Sequence, residues 1–186
     1  MALAGRPDFF RRHPFLQRLS VRGKNIPVEW VESITHHCPE LNYLHLFLND
    51  PNEGFLDSLV QLRKLKCLEL RGQVDRKILR GAINSLESVE LNVRYSRVLL
   101  ENFFEVVPRL SRLKCCYNIS YDEAQFICEK FACLRSLKLT IPSSAADDSV
   151  RIDKLMHLQE LKLSSSCNIR SIHRNNVRCL TVLLSK

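Results

Sequence analysis

Glycine is scarce in this chain: five residues in 186. None of them falls in a G-x-G-x-x-G or a P-loop pattern, the loops that let backbone amides close on a phosphate. G-x-S-x-G and H-E-x-x-H are absent too, so the nucleophile elbow and the zinc-protease helix are missing. No two cysteines have the C-x-x-C spacing of a metal or redox site. His36 and His37 are neighbours; on a helix they diverge by about 100° and cannot chelate one ion together. These absences predict no catalytic residues, no cofactor and no metal. The chain is not expected to be an enzyme.

Long apolar runs are also lacking. No stretch approaches the roughly 20 apolar residues that span a bilayer. The start, Met1-Ala2-Leu3-Ala4-Gly5-Arg6-Pro7-Asp8, is too short and too polar for a secretory signal. A soluble, non-exported protein of the cytoplasm or nucleus is therefore expected, and the acceptor pattern Asn118-Ile119-Ser120 should stay unmodified. There is no Lys/Arg-rich run, although the net charge is +8. Such a charge permits an acidic partner, but nucleic-acid binding calls for a clustered stripe with aromatic platforms. Scattered basic residues fit a solvated surface better.

Cysteine, by contrast, is plentiful: positions 38, 67, 115, 116, 128, 133, 167 and 179. Without export, a disulfide framework is not expected. Cys38, Cys115 and Cys128 occupy places that call for a small apolar residue, a role free cysteine fills. Cys115 and Cys116 are strand neighbours and should point to opposite faces.

The dominant feature is a repeat. The pattern L-x-x-L-x-L reads Leu16-Leu19-Val21, Leu41-Leu44-Leu46, Leu65-Leu68-Leu70, Leu86-Val89-Leu91, Leu110-Leu113-Cys115, Leu134-Leu137-Leu139 and Leu158-Leu161-Leu163, with a weaker copy at Val177-Leu180-Val182. First positions are 25, 24, 21, 24, 24, 24 and 19 residues apart. Such regularity means stacked units, each burying its apolar face against the next. The last two apolar positions of each copy lie two apart and share one side of a strand; the residue between them is polar. Those residues are Ser20, His45, Glu69, Glu90, Lys114, Lys138, Lys162 and Thr181.

Between copies the period changes to that of a helix. Ala124, Ile127, Cys128 and Phe131 form an apolar stripe, with Ser120 and Glu123 as a capping box. Leu100, Phe103, Phe104 and Val107 repeat the stripe before Pro108, as do Val31, Ile34 and Cys38 before Pro39. Shorter helices are expected over 55–62, 75–83 and 147–156. Strand, turn and return helix make consecutive strands parallel neighbours. Helices are about 10 Å wide against about 4.8 Å between strands, so the stack should curve with its strands inside.

The core pattern and its 24-residue period resemble the leucine-rich-repeat superfamily. Asn49 and Asn118 stand at that family's Asn/Cys position, where a side-chain amide satisfies the turn after the strand; Gln73, Arg94, Pro142 and Ser166 depart from it. ITHHCPELNYLHL (34–46), FACLRSLKL (131–139) and HPFLQRLSV (13–21) look most like the ribonuclease-inhibitor-like repeats that follow F-box domains. The resemblance covers about residues 13–183 and implies an α/β solenoid: a horseshoe with about eight parallel strands on its concave face and return helices on its convex face. On this reading 13–186 is the repeat domain without clear terminal caps, and 1–12 is a remnant of a preceding unit or a tail. Any F-box, and with it contact to ubiquitin-ligase subunits, would lie in a missing N-terminal region.

The implied function is protein binding, as the substrate-recognition repeats of an F-box/LRR-type adaptor for a ubiquitin ligase. A stand-alone scaffold or inhibitor is the alternative, and RNA binding through a basic concave face a further one. The candidate contact residues lie on the polar strand face. Tyr43, His45 and Phe47 give an aromatic end; Glu69 and Glu90, flanked by Arg71, give an acidic step. Lys114, Lys138 and Lys162, with Arg112, give a basic floor. Lysines on strands about 4.8 Å apart repel by roughly 0.8 kcal/mol in water. The floor suits an acidic or phosphorylated segment; equally, long lysines can splay into solvent as an ordinary wet face.

Overall fold

The computed structural model describes residues 8–22, 26–49, 57–73, 81–94, 97–141, 149–164, 168–170 and 177–183. Four helices occur in this part of the chain: α1 (Asp8–Arg11), α2 (Val28–His37), α3 (Arg97–Val106) and α4 (Tyr121–Lys130), with a 3-10 helix at Asp57–Gln61. The strands are β1 (Arg18–Val21), β2 (Tyr43–Asn49), β3 (Cys67–Gln73), β4 (Ser88–Arg94), β5 (Arg112–Asn118), β6 (Ser136–Thr140), β7 (Ser149–Arg151), β8 (Glu160–Ser164), β9 (Asn168–Arg170) and β10 (Cys179–Leu183). Eight of them form one sheet in the order β1-β2-β3-β4-β5-β6-β8-β10, and every neighbouring pair is parallel. The chain is an α/β protein built on that sheet.

Each copy of the repeat supplies one strand, and the copies pair in register apart from one shift late in β5. Leu44 faces Leu68, then Val89, Leu113, Leu137, Leu161 and Leu180 in turn. The short 21- and 19-residue intervals are therefore absorbed in the return segments, not in the strands. Backbone bonding explains the constancy. The carbonyls of Gln17, Asn42, Lys66, Glu87, Ser111, Arg135 and Gln159 each accept the first two N–H groups of the next unit's strand start, at 2.7 to 3.1 Å. The first leucine of every full copy closes a turn onto the carbonyl three residues back, as in Leu134 N–H to Phe131 O at 3.1 Å. From β2 onward in the eight-stranded sheet the strand-start donors are thus satisfied by the preceding unit, as buried backbone requires.

The leucine side of the sheet is the core. From Leu41 to Leu163 every apolar position of the motif is buried, and burying each such side chain stabilises by roughly 1.5–3 kcal/mol. At β10, Leu180 is 49% exposed. Cys38, Cys115 and Cys128 are buried among the leucines as small apolar groups, and the described cysteines are all free thiols; Cys167 lies outside the described residues. Burial pushes the Cys128 thiol up to about 12, which keeps it protonated and unreactive.

Helices pack on this leucine side. In α4 the capping box forms: Glu123 N–H donates to Ser120 Oγ at 3.2 Å, and Ser120 N–H to Glu123 Oε2 at 2.8 Å. Ala124, Ile127, Cys128 and Phe131 are all buried. Three expectations change. Phe104 is 40% exposed and sits at the rim, meeting the rings of Phe126 and Phe131 edge-on at 6.5 and 5.6 Å. Of the segment 147–156, the described residues 149–156 are not helical. Its Ser149–Arg151 is strand β7, paired in parallel with β9, because Val150 and Ile152 alternate into the core with period two. Return elements on the leucine side are thus helices near the start and short strands near the end. Asn118 ends β5 with its side chain exposed, not folded under the turn, whose Ile119 N–H bonds Thr140 O at 2.9 Å. The side chains of Asn49, Gln73 and Arg94, residues Pro142 and Ser166, and most of 75–83 lie outside the described residues. No helix among the described residues is long and apolar enough to cross a membrane.

Candidate functional site

The other side of the sheet is a lattice of polar side chains, set by the same register. One row runs Ser20, His45, Glu69, Glu90, Lys114, Lys138, Lys162 and Thr181 across all eight strands. A second row, two residues earlier on each strand, runs Arg18, Tyr43, Cys67, Ser88, Arg112, Ser136, Glu160 and Cys179. Phe47, Arg71 and Asn92 begin a third. All ten candidate contact residues therefore share one face.

At the β2 end the lattice is closed on itself. His45 is 3% exposed and shares a 2.8 Å hydrogen bond between its Nδ1 and Ser20 Oγ. Burial holds its imidazole below the ordinary value, against the pull of Glu69; its Nε2 is buried without a hydrogen-bond partner, as is Nε of Arg71. The Arg18 guanidinium lies 4.2 Å from the centre of the Tyr43 ring, a cation–π contact. Burial, and then a hydrogen bond donated to Glu69, raises the Tyr43 hydroxyl above its usual range. Phe47, at 36% exposed, is the ring of this group turned to solvent.

The centre pairs opposite charges. Lys114 Nζ lies 2.8 Å from Glu90 Oε1 on the next strand, and that bond raises the lysine. Cys116 Sγ donates to the same oxygen at 3.5 Å; burial raises this thiol first, and Glu90 adds to it. A register shift in β5 between Lys114 and Asn118 is the bulge that leaves Tyr117 42% exposed. Farther on, Glu160 receives Lys162 Nζ at 2.6 Å and Ser136 Oγ at 2.7 Å, which lowers its carboxyl.

The basic floor expected from Lys114, Lys138 and Lys162 is accordingly only partly available. Two of the three lysines are bound to carboxylates within the sheet. Lys138 makes no ion pair among the described residues. The acidic step is reduced likewise, since Glu90 carries Lys114 and Glu69 carries Tyr43. Spacing found which residues share the face but could not weigh which charges pair, across strands as in Glu90–Lys114 or along one strand as in Glu160–Lys162.

Sequence reasoning passed over Arg109 and Arg135. Both flank the first leucine of a copy, one before Leu110 and one after Leu134, and the structure gathers them with Arg112 at the strand starts. The signal available was an arginine beside that leucine in two successive units. His36 and His37 lie in the last turn of α2, His36 exposed and His37 half-buried, with their rings edge-on at 4.8 Å. No group of metal ligands is found among the described residues. Compared with known families, curated proteins and solved structures, the chain matches no family model, no curated protein and no solved structure.

Proposed function

We propose that this chain is a leucine-rich-repeat binding module whose sheet is the concave lining of a horseshoe. It receives a segment of another protein, as the substrate-recognition repeats of an F-box/LRR-type ubiquitin-ligase adaptor. The observation that carries the reading is the in-register polar row from Ser20 to Thr181. Side chains on such a row stand about 4.8 Å apart, a grid that an extended segment can cross. Charges on it steer and orient a partner more than they add affinity. Arg112 and Lys138, on neighbouring strands, make no ion pair among the described residues and can meet an acidic or phosphorylated stretch. The ubiquitin part rests on the resemblance around 34–46 and not on a site.

A photo-reactive amino acid at position 138, with another at exposed Phe104 on the helical side, tests this in cells. One protein should cross-link at 138 and not at 104, and its ubiquitylation should fall when Lys138→Glu replaces the natural chain. A partner whose ubiquitylation is unchanged favours a stand-alone scaffold or inhibitor. RNA in place of protein at 138 would favour the basic-face alternative. Cross-linking to nothing at 138 removes the binding role.

A further inference from the structure

We infer that the groove at the starts of β4, β5, β6 and β8 is a docking site for one phosphorylated side chain of a partner protein. The groove has a volume of about 520 Å³, and Arg109, Arg112 and Arg135 line it together. All three arginines are exposed and make no ion pair among the described residues. The carboxylates that could neutralise them are engaged elsewhere: Glu87 with Lys66 at 3.5 Å, Glu160 with Lys162 and Ser136. Backbone donors are unavailable to a ligand, because the N–H groups of Ser111, Arg112, Arg135 and Ser136 all bond carbonyls of the preceding unit. Recognition must therefore come from side chains, of which the three guanidiniums carry the charge.

Three guanidiniums match a phosphate monoester better than a carboxylate. The phosphate offers three terminal oxygens and nearly two charges, and each guanidinium can grip two oxygens at once. The groove rim argues against a polyanion. Glu87 on the β4 side and Glu160 on the β8 side both line it, three strand spacings or about 14 Å apart. A nucleic-acid backbone laid along the strand starts would cross both carboxylates, whereas a single phosphate between them meets the three arginines and the neutral side chains of Ser111, Ser136 and Gln159. Partner donors such as lysine or backbone amides would suit the rims. This inference deepens the binding role proposed above and rests on it.

The test measures fluorescence anisotropy of a degenerate peptide library fixed at a central phosphoserine, against the same library with serine, using the whole chain. The phosphoserine library should bind at least about tenfold more tightly. Arg112→Gln with Arg135→Gln should erase that preference, while Arg151→Gln, on β7, should keep it; thermal melts of the variants confirm folding. No phosphate preference in the natural chain overturns the inference, as does a preference the double variant retains. A uridine oligonucleotide that outcompetes the phosphoserine library and is released steeply by salt overturns it in favour of RNA. If the preference is absent while position 138 still cross-links a protein, the groove assignment fails and the binding role stands. If both are absent, both fail.

Discussion

The two ends of the polar face share one backbone lattice and differ in what occupies it. Around β2 and β3, His45 is sealed under its neighbours, Tyr43 is covered by Arg18 and hydrogen-bonded to Glu69, and Ser20 holds the imidazole. Around β5 and β6, Arg112, Arg135 and Lys138 hold no partner carboxylate among the described residues. The two rows from Arg18 and from Ser20 keep one register through both regions, so architecture alone does not set which side chains stay unpaired. Availability depends on whether the residue at each lattice point finds its complement one strand away. A repeat protein can thus close one region of a face on itself and leave another with exposed, unpaired cations.

The core should ignore this difference. Leu44→Ala and Leu161→Ala remove equivalent fully buried side chains, and each should cost about 2–5 kcal/mol in urea unfolding. A large inequality between them would mean that the two ends do not share one packing scheme.

The polar face should reveal it. His45→Ala is expected to cost about 1–3 kcal/mol, because it empties a sealed position. Lys138→Ala should stay within about 0.5 kcal/mol. Equal costs at the two sites would erase the contrast between a closed and an open end.

A third contrast lies in pH. His45 titrates below its ordinary value when folded, so the unfolded chain binds more protons between that lowered value and about 6.5. The stability His45 contributes is present above about 6.5 and is lost as pH falls toward the folded value. Urea midpoints at pH 7 and pH 5 should therefore drop more for the natural chain than for His45→Asn. Parallel pH dependence in the two proteins would contradict the sealed environment of the imidazole. The smallest effect belongs to the centre: Lys114→Met should cost under about 1 kcal/mol, since its pair with Glu90 is partly solvated.

How much of this was legible in the sequence follows from what each level depends on. Strands, their parallel order and their register were readable, because Leu44, Leu68, Val89 and their successors must all face one dry side for any unit to fold. The helical stripe at 124–131 was readable for the same reason. The expected helix over 147–156 gave way in its described part, because Val150 and Ile152 lie two apart, the spacing of a strand. Which residues share the polar face was legible from alternation, but charge pairing was not. Lys114 reaches Glu90 across one strand, whereas Lys162 turns back to Glu160 on its own strand. Arg109 and Arg135 were missed because they lie outside the alternating positions, at turns whose geometry no periodicity encodes.

The register itself is open to direct measurement. Lys138 and Lys162 are facing partners on β6 and β8, close enough for a disulfide, whereas Lys138 and Ser164 are offset along the strand by two residues, about 8 Å apart. Lys138→Cys with Lys162→Cys should form a cross-link identified by mass spectrometry of the joined peptides. Lys138→Cys with Ser164→Cys should not. Efficient linkage of the offset pair, or none in the facing pair, would contradict the lattice on which the face is built.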